Sequence, residues 1–137
     1  MNITLKTKGH TDIIDLTAKV GEVVKRSKIN NGFALVFVTG STAAITTLEY
    51  EVGVISDMKE TLDKLIPEEF NYHHHQKWGD RNGAAHLKAA IIGPDLLLPI
   101  GDSALELGRW QQIVLIDFDE RPREREIIVK CFNASLT

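Results

Sequence analysis

The chain is almost without cysteine. Cys131 is the only one in 137 residues, so no internal disulfide can form. Its place among alternating apolar residues in "REIIVKCF" predicts a buried strand thiol rather than a nucleophile. Excess positive charge is also missing. Lys and Arg number 16 against 19 Asp and Glu, a formal net charge of -3, which argues against a broad phosphate-backbone footprint and so against nucleic acid as the main partner. No stretch approaches the ~20 apolar residues that span a bilayer. The most apolar segment, "AAIIGPDLLLPI", is cut by Gly93, Pro94 and Asp95. The opening "MNITLKTKGH" alternates polar and apolar residues and lacks the uninterrupted apolar core of a signal peptide. These absences predict no membrane partner and a cytoplasmic address. There is no repeat, linker or low-complexity tract either.

What is present fits one soluble domain over 1–137, with 43% hydrophobic and 26% charged residues and enough length for a core without staples. "ITLKTK" alternates with period two and opens the chain as a strand, and "DIIDL" predicts a second short one. Asp15 or Thr17 caps a helix over "TAKVGEVVKRSK", whose apolar stripe is Val20, Val23 and Val24. The nearly continuous "FALVFV" suits the centre of a sheet. "GSTAAITTLEYE" turns at Gly40 and continues as a strand. "GVISDMKETLDKLIP" is a second helix, with Ile55, Met58, Leu62, Leu65 and Ile66 at helical spacing and Pro67 ending it. A long loop follows. From residue 86 onward strands alone are predicted: "HLKAAIIG", "DLLLPIG", "QQIVLIDFD" and "REREIIVKCF". Clustered strands with two separate helices predict an α+β fold with a largely antiparallel sheet.

The long loop, "NYHHHQKWGDRNGAAH" at residues 71–86, holds four of the five histidines. Neutral imidazole is the commonest nitrogen ligand for zinc-like ions. On an extended segment His73 and His75 share one face and His74 the other, so His74 or His75 can pair with His86 across the loop. Asp80 and Asn82 offer oxygen ligands, or partners that orient an imidazole. No fixed metal motif such as HExxH is present, and a solvated, pH-sensitive loop with a turn at "WGDRNG" fits the same residues. His86, opening an apolar segment, also fits a hydrogen-bonded core residue. In "TGSTAA", Ser41 and Thr42 offer donors to an anion, although the lysine of a P-loop is absent. Glu49 is a carboxylate set among apolar neighbours, suited to metal binding or proton transfer or simply exposed on its strand. Trp110 beside Gln111 can line a pocket for a planar ring or belong to the core. "DERPRERE" is a charged edge from which Arg123 and Arg125 can reach a phosphate, unless it is only a solvated face.

The succession "GSTAAITTLEYE", "YHHHQKWGDRNGAAHLKAAIIGPDLLLPI" and "LGRWQQIVLIDFDERPRER" resembles the YjbQ family, named for a secondary thiamine-phosphate synthase activity. The resemblance runs through nearly the whole chain. It implies a compact α+β subunit in a homotrimer and a weak synthase activity. That reaction joins a pyrimidine diphosphate to a thiazole phosphate and releases pyrophosphate. Carried onto this sequence, the family's functional positions fall on Glu49, His74, Asp80, Asn82, Gly83, His86, Trp110, Gln111, Pro122 and Arg123. Two positions depart from the family pattern. Gly40 stands where many members carry a histidine, and Arg109 where a hydroxyl residue precedes Trp-Gln.

Chemistry and resemblance together assign His74, His86 and Glu49 to a divalent metal, zinc in preference to magnesium because imidazole donors favour a transition ion. They assign catalysis to Glu49, Asp80, Asn82 and His86. Ser41, Thr42, Trp110, Gln111 and Arg123 are assigned to a phosphorylated small-molecule substrate. The alternative is a trimeric metal- or ligand-binding protein whose synthase activity is incidental.

Overall fold

The segment "FALVFV" becomes the middle of a sheet because its alternate side chains find partners on both sides. The computed structural model describes residues 1–135, apart from the side chains at 77 and 78; positions 136 and 137 of the expected domain lie outside the described residues. The strands are β1 (Asn2–Thr7), β2 (Asp12–Asp15), β3 (Gly32–Thr39), β4 (Ala43–Leu48), β5 (Asp95–Gly101), β6 (Ala104–Leu105), β7 (Gln112–Asp117) and β8 (Arg123–Asn133). The helices are α1 (Thr17–Ser27), α2 (Val52–Leu65), α3 (His73–Trp78) and α4 (Gly83–Ile92). A five-stranded sheet has the order β1-β8-β3-β5-β6 and a three-stranded sheet the order β2-β7-β4. Every pairing among the described strands is antiparallel. The result is a single α+β domain.

Two cores explain the layering. Ala34, Val36 and Val38 of β3 face Ile45, Ile113 and Leu115 of the smaller sheet, with Val20, Val23 and Val24 of α1 closing the same cluster. The other side of the three-stranded sheet presents Ala44, Val114 and Ile116 to Leu62 of α2 and to Ala85 and Ala89 of α4. Strand β7 is therefore buried on both faces, which is why "IVLI" is unbroken by polar residues. Cys131 is only partly buried, on the fringe of the first core. No helix of the described residues is long and apolar enough to cross a membrane.

The sequence predicts two helices and the described residues form four. "HLKAAIIG" is helix α4 rather than a strand. A short apolar run carries no decisive period, and the Ala, Leu and Lys in it are strong helix formers. Burial of Ala85, Lys88 and Ala89 gives the one-sided spacing of a helix once a sheet is there to receive it. The histidine run is helical too. Helix α3 starts after Tyr72 and ends at Gly79, whose left-handed backbone (φ 70°) lets its N–H reach the His75 carbonyl at 3.0 Å. The extended-chain alternation expected for His73–His75 therefore does not apply. Glu51 caps α2, accepting the Val54 N–H at 2.9 Å.

Candidate functional site

Helices α3 and α4 lie back to back, and the turn between them carries Asp80 and Asn82. His73 points to solvent while His74 and His75 are half-buried. Their tasks differ. The Gly83 N–H, at the first turn of α4, donates to His75 Nε2 at 2.9 Å. That hydrogen bond fixes Nε2 as the unprotonated nitrogen and makes His75 the cap of α4. Asn82 stands at the N-cap position itself, where an Asn oxygen ordinarily accepts a helix N–H. Here it makes no capping bond.

Among the described residues the freed Asn82 Oδ1 is one of three buried side-chain polar atoms without a hydrogen-bond partner, the others being His74 Nδ1 and Asp80 Oδ1. His74 Nδ1 and Asp80 Oδ1 are 3.1 Å apart, yet their orientation does not make a hydrogen bond. His86 of α4 is beside them, its ring centroid 4.6 Å from that of His74. Burial and the neighbouring His74 push the His86 imidazole below its usual range, against opposing pulls from Asp119, Asp80 and the Ser41 carbonyl. His86 is accordingly neutral at pH 7. Beside His86 a cleft of about 370 Å³ is lined by Gly40, Ser41, Ala43, Ala89, Ala90 and Pro94.

Behind Ser41 runs a polar network that the sequence left as a charged edge. Arg125 donates from Nε to Asp117 Oδ2 at 2.7 Å and from Nη2 to Asp117 Oδ1 at 2.9 Å. Nη2 also donates to Thr42 Oγ1 at 2.7 Å. The Thr42 hydroxyl donates to Asp119 Oδ2 at 2.9 Å, and Arg123 Nε reaches the same oxygen at 2.9 Å. Burial alone raises both carboxyls. For Asp117 the bonds from Arg125, Thr7 and the Asp119 N–H outweigh it. For Asp119 those from Thr42, Glu120 and Arg123 do so. Both end below the usual carboxylate range. The signal in the sequence was period-two spacing: Arg123 and Arg125 share one face of β8, and Asp119 follows Asp117, the last residue of β7, by two.

The predicted site residues divide into two groups. Ser41, Thr42, His74, Asp80, Asn82, His86 and Arg123 gather around the Ala43 end of β4. Thr42 is not free for a ligand, because it is 5% exposed and its hydroxyl is committed in both directions. Glu49, Trp110 and Gln111 are at the other end of the strand, about 20 Å away at roughly 3.3 Å per residue. The register confirms it, with Ala43 opposite Asp117 and Leu48 opposite Gln112. Glu49 is exposed there, in a cleft shared with Asp15, Tyr50, Glu51, Arg109 and Trp110. It is not beside His74 or His86 within this chain, a correction to its expected place at the metal. Trp110 is 63% exposed with the Arg109 guanidinium over its ring at 4.8 Å. Gln111 ties its turn to β4, accepting from the Gly108 N–H at 3.0 Å and donating to Thr47 Oγ1 at 3.2 Å.

Among the described residues no three His, Cys, Asp or Glu side chains form a group able to hold an ion. His74 Nδ1, Asp80 Oδ1 and Asn82 Oδ1 are nitrogen and oxygen donors of the kinds that ligate metal ions, and the spacing of the first two can be compared with that of metal ligands. Two ligands of an ion bound at ~2.1 Å sit roughly 3.0–3.4 Å apart, and His74 Nδ1 and Asp80 Oδ1 keep that spacing without bonding each other.

Comparison with known proteins places the chain. The family model for UPF0047 protein YjbQ-like matches residues 1–134. A UPF0047 protein of Archaeoglobus fulgidus is 38% identical over 130 residues, covering 95% of this chain and 98% of its own. The Bacillus subtilis UPF0047 protein YugU is 31% identical, covering 93% and 95%. Among solved structures, a YbjQ-like protein of unknown function from Sulfolobus solfataricus superposes with a TM-score of 0.93 at 31% identity, over 98% of this chain and 96% of that one. A yjbq/upf0047 family protein from Clostridium acetobutylicum gives 0.88 at 33%, over 96% and 99%. With residues 1–134 matched by the family model and 98% of its length superposed on a relative's structure, this chain belongs to the YjbQ/UPF0047 family.

Proposed function

We propose that the protein is a homotrimeric, metal-assisted enzyme acting on small phosphorylated heterocycles, joining a pyrimidine diphosphate to a thiazole phosphate with release of pyrophosphate. One observation carries the reading: among the described residues His74 Nδ1, Asp80 Oδ1 and Asn82 Oδ1 are buried without a hydrogen-bond partner, the first two 3.1 Å apart. Leaving buried polar atoms unpaired costs about 1–3 kcal/mol each, a penalty that a bound cation removes. With His86 adjacent, the donors are a mixture of nitrogen and oxygen, which favours zinc or another transition ion over magnesium. Such an ion, when bound, supplies positive charge to a departing pyrophosphate. The chain's own groups do the rest. His86 stays neutral and offers a ring nitrogen as ligand or base. Ser41 and Arg123 border the region where a phosphate enters, and Asp80 and Asn82 offer their oxygens beside His74.

Trimer formation is supported by an uncovered sheet face. Phe33, Leu35 and Phe37 of β3 alternate with core residues, and their neighbours across the strands are Pro99, Leu97 and Phe132. Leu97 is 59% exposed and Phe132 44%, and an apolar patch of this kind marks an interaction surface.

A second reading has one observation in its favour. Glu49, Trp110 and Gln111 are far from the histidines in the single chain, so the expected catalytic set is not assembled there. This favours a ligand-binding trimer whose synthase activity is incidental. Turnover of the two thiamine precursors by wild type and a His86→Ala variant, with metal content measured alongside, separates the two. Loss of turnover together with metal supports the enzyme; unchanged turnover in the variant rejects it.

A further inference from the structure

We propose that the cleft between the end of α1 and β8 binds a small amphiphilic carboxylate, an apolar chain ending in a carboxylate group. None of its residues belongs to the histidine site, and the proposal depends on neither the metal nor the synthase reaction. The cleft holds about 450 Å³, a size usual for small-molecule sites. Its origin is local. Val129 and Cys131 point to the α1 side of β8, because alternate residues of a strand share a face. Val129 belongs to the first core and Cys131 packs at its fringe. Helix α1 stops at Ser27, where Lys28 turns left-handed (φ 60°), and Cys131 is left partly exposed.

The lining is apolar below and cationic at the rim. Val23 and Val129 are buried and form the floor, while Phe132 and Met1 are exposed at the edge. Charge selects the ligand. Arg26 and Lys130 line the cleft and no carboxylate does. The chain carries a net charge of -3, and the clefts around Asp80, Glu49 and Asp63 all include Asp or Glu. Cations without acids are therefore not what this surface offers on average. Arg26 also offsets the negative end of the α1 dipole, but Lys25 shares that task and does not line the cleft. Glu22 lies 3.6 Å from Arg26 Nε with both side chains about two-thirds exposed. Such a pair contributes little in solvent, so a ligand carboxylate competes with it. The Ser27 hydroxyl is already committed, donating to the Val24 carbonyl at 2.6 Å and accepting the Ile29 N–H at 3.2 Å. A bound head group thus meets a guanidinium and an ammonium, and its chain meets valine and phenylalanine.

Cys131, the only thiol of the chain, reports occupancy without a label. Its alkylation by iodoacetamide is followed by mass spectrometry with octanoate, octanol or acetate present. Octanoate at about ten times its Kd should slow alkylation about tenfold. Acetate, which has no chain, and octanol, which has no charge, should change it less than about twofold at the same concentration. Calorimetry then gives the octanoate affinity. Arg26→Glu, a change at an exposed position, should lower it about tenfold, the scale of one charge-assisted contact. Octanol that protects as well as octanoate, or an Arg26→Glu variant that binds octanoate as wild type does, overturns the proposal. Absence of saturable protection overturns it too. So does dissociation of an oligomer by Arg26→Glu, seen by light scattering, because a second copy then fills the cleft.

Discussion

Arg125 and Asp117 clasp each other across the gap between the two sheets, with two parallel hydrogen bonds of 2.7 and 2.9 Å. Asp117 is fully buried and Arg125 nearly so. The pair fastens β8 to β7, and through Thr42 and Asp119 it also fastens the β3–β4 turn that borders the cleft. The site therefore rests on an ion-pair network rather than on a loop.

Asp117→Asn leaves the buried guanidinium with only the more distant Asp119 carboxylate, 3.8 Å from Nη2, as counter-charge. Unfolding free energy should fall by about 3–5 kcal/mol, measured by urea denaturation. A loss below ~1 kcal/mol would mean that the network is dispensable.

The same network predicts acid sensitivity. Asp117 and Asp119 both titrate below the usual carboxylate range in the folded protein. For a lowered folded value, the stabilisation is complete above the unfolded value, about 3.9. It is lost as pH falls from there through the folded values. Thermal melts from pH 7 to pH 2 should drop in that window, and the drop should be smaller in Asp117→Asn. Equal drops in the two proteins would assign the acid sensitivity to other groups.

His75 holds the start of α4 through the Gly83 N–H. His75→Ala should cost about 1 kcal/mol and lower Tm by a few degrees. His75→Gln, which keeps an acceptor, should recover part of that loss. A Tm unchanged in the Ala variant would show that solvent caps the helix equally well.

In the metal reading, tag-free protein should carry a transition ion by elemental analysis. His74→Ala and His86→Ala should lower its affinity, and Asn82→Ala should lower it about 10–100-fold. His73→Ala should change nothing, because that side chain faces solvent. No metal after incubation with zinc, or equal uptake by all four variants, ends this reading.

The exposed β3–β5 face predicts the assembly. Leu97→Glu should turn a trimer into monomers by light scattering, since a carboxylate at the centre of that apolar face would be buried without a partner. A wild-type monomer at micromolar concentration would remove the trimer altogether.

Local pattern was enough for much of this protein. The two-residue period of "ITLKTK", the unbroken "FALVFV" and the valine stripe of α1 each carry their own geometry, because side-chain direction along a strand or helix repeats over a few residues. The four histidines and the Asp-x-Asn turn also stood out as chemistry from composition alone. Local pattern could not decide "HLKAAIIG", which has the length and apolarity of a strand and becomes α4 only because Ala85 and Ala89 find the smaller sheet to pack on. It could not tell that His75 would be spent on Gly83 while His74 stayed unpaired, since that depends on how α3 abuts α4. It left "DERPRERE" as a charged edge, either reaching a phosphate through Arg123 and Arg125 or merely solvated. Burial of Arg125 requires Asp117 on another strand and Thr42 some eighty residues earlier. Glu49 and His86 were grouped by residue type and by the family resemblance, but Glu49 follows the Leu48 end of β4 while His86, on α4, lies beside its Ala43 end. Which residues stand beside one another across the sheets is set by register and packing between distant segments, and only the tertiary structure decides it.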